Sequence, residues 1–441
     1  MSLDDRSQKF CIVGAGSSGL AAVRAFAAAG IPADCLERED DVGGNWYYGR
    51  PHSSIYASTH TISSKRLTEY VDFPMPRDYP QYPHHRQVWE YLRSYARHHG
   101  LYERIEFGRT IERITHDGAG WIVRLADGAE RRYRGVVIAN GHNWDPRLPE
   151  YPGTFAGETL HSSQYKTPDV LAGRRVLVVG AGNSGCDIAA EAAQHAERTF
   201  HSVRRGYHYL PKFWRGAPID ALNEQLLRWR VPTAVRRLLA TFIERASFGD
   251  PTRRGLPRPD HRLFESHPII NSQMHYYLAH GRITPKPDVA ELCGHEVRFT
   301  DGSREAIDLI VYATGFRISF PFVDRKLLNW RDGKPDLYLN VFHPERDDLF
   351  VIGLIQPDSG QFGLVDYQAR CVAGFVAGAD AGHAAAEELR NQKRSRSDLA
   401  GGIRYLASER HLLEVEHFSY RRQLQSLLRG LPQPERRVAG A

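Results

Sequence analysis

The stretch VLVVGAGNSG, Val176 to Gly185, runs an apolar segment straight into Gly-x-Gly-x-x-Gly. Such a turn between a strand and a helix is the fingerprint of a dinucleotide-binding βαβ unit. The chain has already used it once, as FCIVGAGSSG from Phe10 to Gly19. A lone copy is weak evidence, because a glycine-rich turn also serves plain packing. Two copies, each followed by a helix and a second strand, decide the fold class: α/β, with two Rossmann-like units.

In the first copy the strand Lys9 to Val13 meets Gly14, Gly16 and Gly19. Gly14 permits the tight turn, Gly16 lets a pyrophosphate approach the backbone, and Gly19 lets helix and strand pack closely. The helix SSGLAAVRAFAAAG ends near Gly30, with Pro32 beyond it as a stop. The strand ADCLE then ends on Glu37, 18 residues past Gly19, where a carboxylate accepts hydrogen bonds from a ribose. The second copy repeats the scheme with Arg175 to Val179, then Gly180, Gly182 and Gly185, then NSGCDIAAEAAQHAE and RTFHSV. Eighteen residues past Gly185 stands Val203, followed by Arg204 and Arg205. A carboxylate at this place repels a 2′-phosphate; a guanidinium binds it through charge-assisted hydrogen bonds. The first copy therefore suits FAD and the second suits NADPH. Two nucleotides, one giving a hydride and one taking it, make an electron-transfer layout.

Between the copies, FAGETLHSSQY fits F-x-G-x-x-x-H-x-x-x-Y at Phe155, Gly157, His161 and Tyr165. This resembles the identifying motif of the flavin-containing monooxygenases. Other pieces of that family's pattern follow in order: GGNW (Gly43 to Trp46), DFPMP (Asp72 to Pro76), ANGHNWDPRLP (Ala139 to Pro149) and VYATGF (Val311 to Phe316). Related Baeyer–Villiger monooxygenases carry Trp at the motif's last position, so Tyr165 favours the flavin-containing branch. The resemblance covers roughly residues 8 to 375.

It implies that NADPH reduces FAD and that O2 adds to the reduced flavin at C4a. The (hydro)peroxide so formed passes one oxygen to a soft nitrogen or sulfur atom of a small molecule. FAD is then expected on Gly14, Ala15, Gly16, Ser17, Ser18 and Gly19, on Glu37 and Arg38, on Gly44, Asn45 and Trp46, and on Thr314 and Gly315. NADPH is expected on Gly180, Gly182, Asn183, Ser184 and Gly185, on Ser202, Val203, Arg204 and Arg205, and on Thr61 and Tyr165. Many members carry an Asn near the flavin C4a. Aligning on Ser64-Lys65 and on Asp72 to Pro74 puts Ile62 there, and Ile offers no side-chain hydrogen bond. Ile62, Ser63 and Tyr207 are expected at the reacting end by location alone, with Ile62 and Ser63 against FAD and Ile62 also against NADPH. The departure keeps an NADPH oxidase or reductase open as an alternative, beside Baeyer–Villiger oxygenation of a ketone and a non-catalytic nucleotide-binding protein.

The expected layout is discontinuous. Residues 1–165 open the FAD-binding domain, 170–300 form an inserted NADPH-binding domain with a helical insert at about 215–275, and 305–441 complete the first domain and add a helical tail. The strand in DLIVYATGF is expected to close the first domain. In AVRRLLATFIERASF, Val235, Leu238, Leu239, Phe242 and Ile243 share one helical face, expected to pack inward as a cover or lid, with resting on a membrane surface as the alternative. His161 is expected to fix the join between domains by hydrogen bonding.

Composition bounds the rest. With 441 residues, 41% apolar and 25% charged, the chain can bury more than one core. A net charge of +6, dispersed along the chain, does not mark a nucleic-acid binder. The five cysteines form no C-x-x-C pair, which leaves no zinc site or redox dithiol. No apolar leader opens the chain, and no run approaches the ~18 apolar residues of a membrane span. A cytoplasmic enzyme is expected, its partners a small-molecule substrate and O2, with no metal and with a homodimer as the candidate assembly.

Overall fold

β1 (Asp4–Val13) is the axis of the first sheet. In this computed structural model, which describes residues 3–406, 408 and 411–432, β1 pairs in parallel with β2 (Ala33–Leu36) on one side. β3 (Ile105–Glu106) extends that side. β4 (Ile111–His116), β5 (Trp121–Leu125) and β6 (Glu130–Ile138) complete the other side, β6 lying parallel to β1. The upper half of β6 also pairs with the parallel strand Leu349–Val351, while its lower half takes the antiparallel β5. Alternate residues of β1 feed two cores. Phe10 and Ile12 face the helices Ser17–Ala28 and Phe362–Asp380, whereas Cys11 and Val13 join Trp121, Val123 and Val136 on the far side. A sheet buried on both faces explains why these strands read as unbroken apolar runs.

The second sheet repeats this plan. β7 (Gly153–Phe155) goes instead to a small separate sheet with Val289–Gly294, and β8 (Glu158–His161) enters the second sheet. β9 (Arg175–Val179) is the axis, flanked in parallel by β10 (Arg198–Ser202) and by the strand Leu309–Tyr312. Ile283–Lys286 lies outside β10, and β8 lies outside Leu309–Tyr312. Leu309–Tyr312 is thus to β9 what β6 is to β1, and ANG at its end in the first unit becomes ATG in the second.

This pairing corrects two expectations. The strand in DLIVYATGF does not close the first sheet; Leu349–Val351 does. The second unit also starts earlier than residue 170, because β7 pairs with Val289–Gly294 and β8 with Leu309–Tyr312. Helices Ile219–Arg228 and Thr233–Phe248 lie within 215–275, Gln273–Ala279 packs on Asn183–His195 and leads into Ile283–Lys286, and His417–Gly430 lies in the tail.

Of the expected inward face of Thr233–Phe248, Ile243 is buried and Leu239 packs against the insert's core, but the other three residues face outward. Val235, Leu238 and Phe242 are exposed, while Arg236, Ala240, Ile243 and Glu244 are buried. Polar partners set the rotation. The Glu244 carboxylate pairs with His208 at 2.8 Å and accepts from the Tyr209 amide, also at 2.8 Å. Arg236 donates to Asn223 Oδ1 at 2.9 Å. A buried carboxylate and guanidinium cost more to leave unpaired than exposed leucine costs to leave wet.

Candidate active site

Both glycine turns fold as their spacing requires. A Cβ added to Gly19 would stand 1.8 Å from the Gly14 carbonyl oxygen, and one on Gly185 would stand 1.9 Å from that of Gly180. Only glycine lets each helix start that close to its strand. Neither helix start has a side-chain cap or an acid in its first turn. The first-turn N–H groups of Ser17, Ser18 and Asn183, Ser184 are therefore left as anion cradles, and they fit a pyrophosphate.

Around the first cradle, Glu37 is buried and braces the turn. Its Oε2 accepts from the Ala15 amide at 2.6 Å and its Oε1 from the Glu39 amide at 2.9 Å. Burial raises its pKa, against the pull of those two amides. A carboxylate oxygen accepts more than one hydrogen bond, so room remains for ribose hydroxyls. Arg38 lies over the Trp144 ring at 5.7 Å, and burial lowers its pKa. The backbone of Gly44 closes on that of Gly16. Asn45 Oδ1 accepts from the Ser54 amide at 2.7 Å, shaping the loop, and Trp46 sits edge-on to Phe362.

At the second cradle, Asn183 Oδ1 accepts from the Ile270 amide at 3.0 Å, and Ser184 is exposed. Ser202 Oγ donates to the Pro287 carbonyl at 2.8 Å. The Val203 side chain is buried in the core, so only its backbone can serve a nucleotide. The two arginines part company. Arg205 Nη2 is held by both oxygens of Asp260, each at 2.9 Å. Arg204 is exposed and has no ion-pair partner among the described residues. Thr314 and Gly315, expected against FAD, belong to this second unit. Thr314 Oγ1 donates to the Arg147 carbonyl at 2.5 Å, and the Gly315 carbonyl accepts from His161 Nε2 at 3.0 Å.

The central motif is a set of fasteners. Phe155 packs on the far core of the second sheet, and Gly157 leaves room for its ring. His161 is 2% exposed, accepts at Nδ1 from the Ser163 amide, and donates from Nε2 to Gly315. Burial lowers its pKa, so the ring is neutral there. Tyr165, expected against NADPH, is fully buried and gives its hydroxyl to Glu191 at 2.5 Å. It holds the second unit together instead.

The units meet along residues 48–64. Lys166 Nζ donates to the Ser53 and Ile55 carbonyls, at 2.6 and 3.2 Å. Tyr56 crosses into the second core and donates to Asp187 Oδ2 at 3.0 Å. From the insert, Asp220 accepts from the Ser64 amide at 2.5 Å. On this segment Ile62 is 40% exposed, Thr61 is buried with its hydroxyl unpartnered, and Ser63 Oγ bonds Thr68 Oγ1 at 2.9 Å. Tyr207 packs on the second core, edge-on to His261. Since His261 bonds Asp260, Tyr207 stands with the Arg205 group rather than with Ile62 and Ser63. Sequence reasoning missed Tyr56, Asp187, Asp220 and Lys212. A lone Lys inside YLPKFW was the available signal for the last.

Comparison with known proteins agrees with this architecture. Residues 7–433 match the model of the flavin-binding monooxygenase-like family. The chain is 31% identical over 444 residues to flavin-containing monooxygenase 5 of Rattus norvegicus, covering 96% of this chain and 83% of the relative. Among solved structures, S-allyl-L-cysteine S-oxygenase from Allium sativum superposes with a TM-score of 0.66 at 20% identity, over 99% of this chain and 91% of that one. Cyclohexanone monooxygenase in its open crystal structure gives 0.70 at 19% identity, over 98% and 99%. With a family model spanning nearly the whole sequence and both nucleotide cradles intact, this chain belongs to the flavin-binding monooxygenase-like family, oxidoreductases that work with FAD and NADPH.

Proposed function

We propose that the first unit holds FAD, the second holds NADPH, and the seam beside Ile62 is where one atom of O2 reaches a soft nitrogen or sulfur atom of a small molecule. The contrast between the ends of the two second strands carries the assignment. Glu37, buried and bracing the first turn, has Arg204, exposed and without an ion pair among the described residues, as its near counterpart in the second. Once bound, the flavin supplies activation of O2 and transfer of the oxygen, with NADPH as hydride source.

The chain's own residues bind, orient and exclude water. First-turn amides at Ser17 and Ser18 hold one pyrophosphate and those at Asn183 and Ser184 the other. Glu37 accepts from ribose hydroxyls, and Arg204 pairs with the 2′-phosphate. Lys166 and Tyr56 tie the two units in register, so the two nucleotides keep one relative position. A groove of about 420 Å³, lined in part by Ser64, Leu67, Pro218, Gln225 and Trp229, lies beside the Ile62 segment and is of a size for a small substrate. All five cysteines are free, which suits a reducing compartment and supports a cytoplasmic location.

The test is a product screen by mass spectrometry with isotopically labelled O2 and NADPH, across amines, thioethers and ketones. One labelled oxygen in an amine or thioether product is expected. Labelled ester from ketones alone would redirect the reading to Baeyer–Villiger chemistry. A second reading rests on Ile62, whose half-exposed side chain gives no hydrogen bond at the reacting end. It is an oxidase in which NADPH consumption matches H2O2 release with no oxygenated product.

A further inference from the structure

Lys212 is fixed in the seam by its backbone. Its carbonyl accepts from Tyr82 Oη at 2.6 Å and from the Ile219 amide at 3.0 Å. Its ammonium hangs over the Tyr82 ring, 5.3 Å from the centroid. Among the described residues it makes no hydrogen bond and no ion pair. Burial lowers its pKa, with Asp187 acting against that fall. Its charge is felt by Asp187 on the second-unit helix and by His60 on the first-unit segment. A half-buried ammonium with three idle donors thus stands between Asp187 of the second unit and His60 of the first.

Two more polar features lie close by. Asp187 lies one turn beyond the uncapped start of the helix Asn183–His195 and is clamped by Tyr56 and by Asn271 Nδ2, the latter at 2.6 Å. Thr61, next to His60, is 4% exposed, and its Oγ1 has no partner. A dinucleotide on the second unit would spend its 2′-phosphate end on Arg204 and its pyrophosphate on the glycine turn. Its nicotinamide half must then run toward the first unit, past Asp187 and Lys212.

We infer that Lys212 is the positioning residue for the nicotinamide half of the bound dinucleotide, its ammonium donating to the ribose hydroxyl oxygens of the nicotinamide riboside. This rests on the second unit being the NADPH site. Lys212 then holds the end of the cofactor that must reach the flavin, while Arg204 reads only the distant adenosine end.

The test compares two ligands on the FAD-loaded full chain. NADP⁺ carries the nicotinamide half; adenosine 2′,5′-bisphosphate lacks it. For Lys212→Met, the dissociation constant for NADP⁺ measured by calorimetry should rise about tenfold, the size of one charge-assisted hydrogen bond. That for the bisphosphate should stay unchanged, and Lys212→Arg should recover part of the loss. Equal loss of both ligands, or no loss of either, would overturn the inference. If wild type binds NADP⁺ but not the bisphosphate, the phosphate-site reading falls and the argument for Lys212 with it. A second measurement needs no variant. Acetylation of wild-type Lys212 by acetic anhydride, read by mass spectrometry, should be suppressed by NADP⁺ and not by the bisphosphate. Equal labelling in all three states would sink the idea even if the variants do not fold.

Discussion

At the scale of single residues, the glycines and the two arginines make opposite lessons. Gly185→Ala would put a methyl group 1.9 Å from the Gly180 carbonyl oxygen, so the helix start must retreat from β9. We expect a cost on the order of 1–3 kcal/mol, read as a lower denaturation midpoint, together with weaker NADP⁺ binding and normal FAD content. Arg204→Ala should weaken NADPH by about 2 kcal/mol while leaving NADH nearly untouched; equal loss of both would place the 2′-phosphate elsewhere. Arg205→Ala should instead release Asp260 and His261 and loosen the Tyr207 region. The glycine roles were legible because they act within six residues of sequence. The split between Arg204 and Arg205 was not, since Asp260 lies 55 residues downstream and nothing local announces it.

At the scale of elements, strand identity was easy to read and strand partnership was not. The apolar run Leu309–Tyr312 could enter either sheet by composition, and only its register beside β9 decides. That assignment placed Thr314 and Gly315 at the end of a strand of the second sheet rather than the first. The echo of ANG by ATG at the two strand ends was the clue in the sequence. The helix Thr233–Phe248 misled for another reason: apolar spacing marked one face, but the buried partners of Arg236 and Glu244 chose its rotation. This orientation is testable. Leu238→Ser and Phe242→Ser, at positions 73% and 61% exposed, should shift stability by less than about 0.5 kcal/mol. Ile243→Ser, at a position 2% exposed, should cost about 2 kcal/mol or more. Urea midpoints with the opposite ranking would mean that Leu238 and Phe242 are the buried side after all.

At the scale of the whole molecule, buried histidines couple folding to pH. His201 is fully buried, and burial lowers its pKa to about 4. His275 and His343 are likewise lowered to about 4 by burial, and His417 to about 3. In the unfolded chain each returns to the ordinary value of about 6.5. Between these limits the unfolded state binds more protons than the folded state, so stability is full above pH 6.5 and drains away toward pH 4. Asp358 pulls the other way. Burial, with Glu416 beside it, raises its pKa to about 6, so its unfavourable ionisation eases as pH falls from 6. Glu37, Glu69, Asp187 and Asp220 are raised by burial in the same sense as Asp358. His85 and His99, however, join the histidines lowered to about 4. With these six histidines on that side, the melting temperature should drop from pH 6.5 to pH 4.5. His201 also gives this trend a functional edge. Its Nε2 donates to the Gly180 carbonyl at 2.9 Å, and its Nδ1 is buried without a partner. A second proton on that ring has nothing to bond, so acid should loosen the second glycine turn along with the fold. His201→Gln keeps a donor for Gly180 but cannot take up the proton. Its melting temperature should therefore fall less steeply between pH 6.5 and 4.5, and its NADP⁺ affinity should become less acid-sensitive over the same range. A slope identical to wild type would show that His201 does not contribute to the acid response.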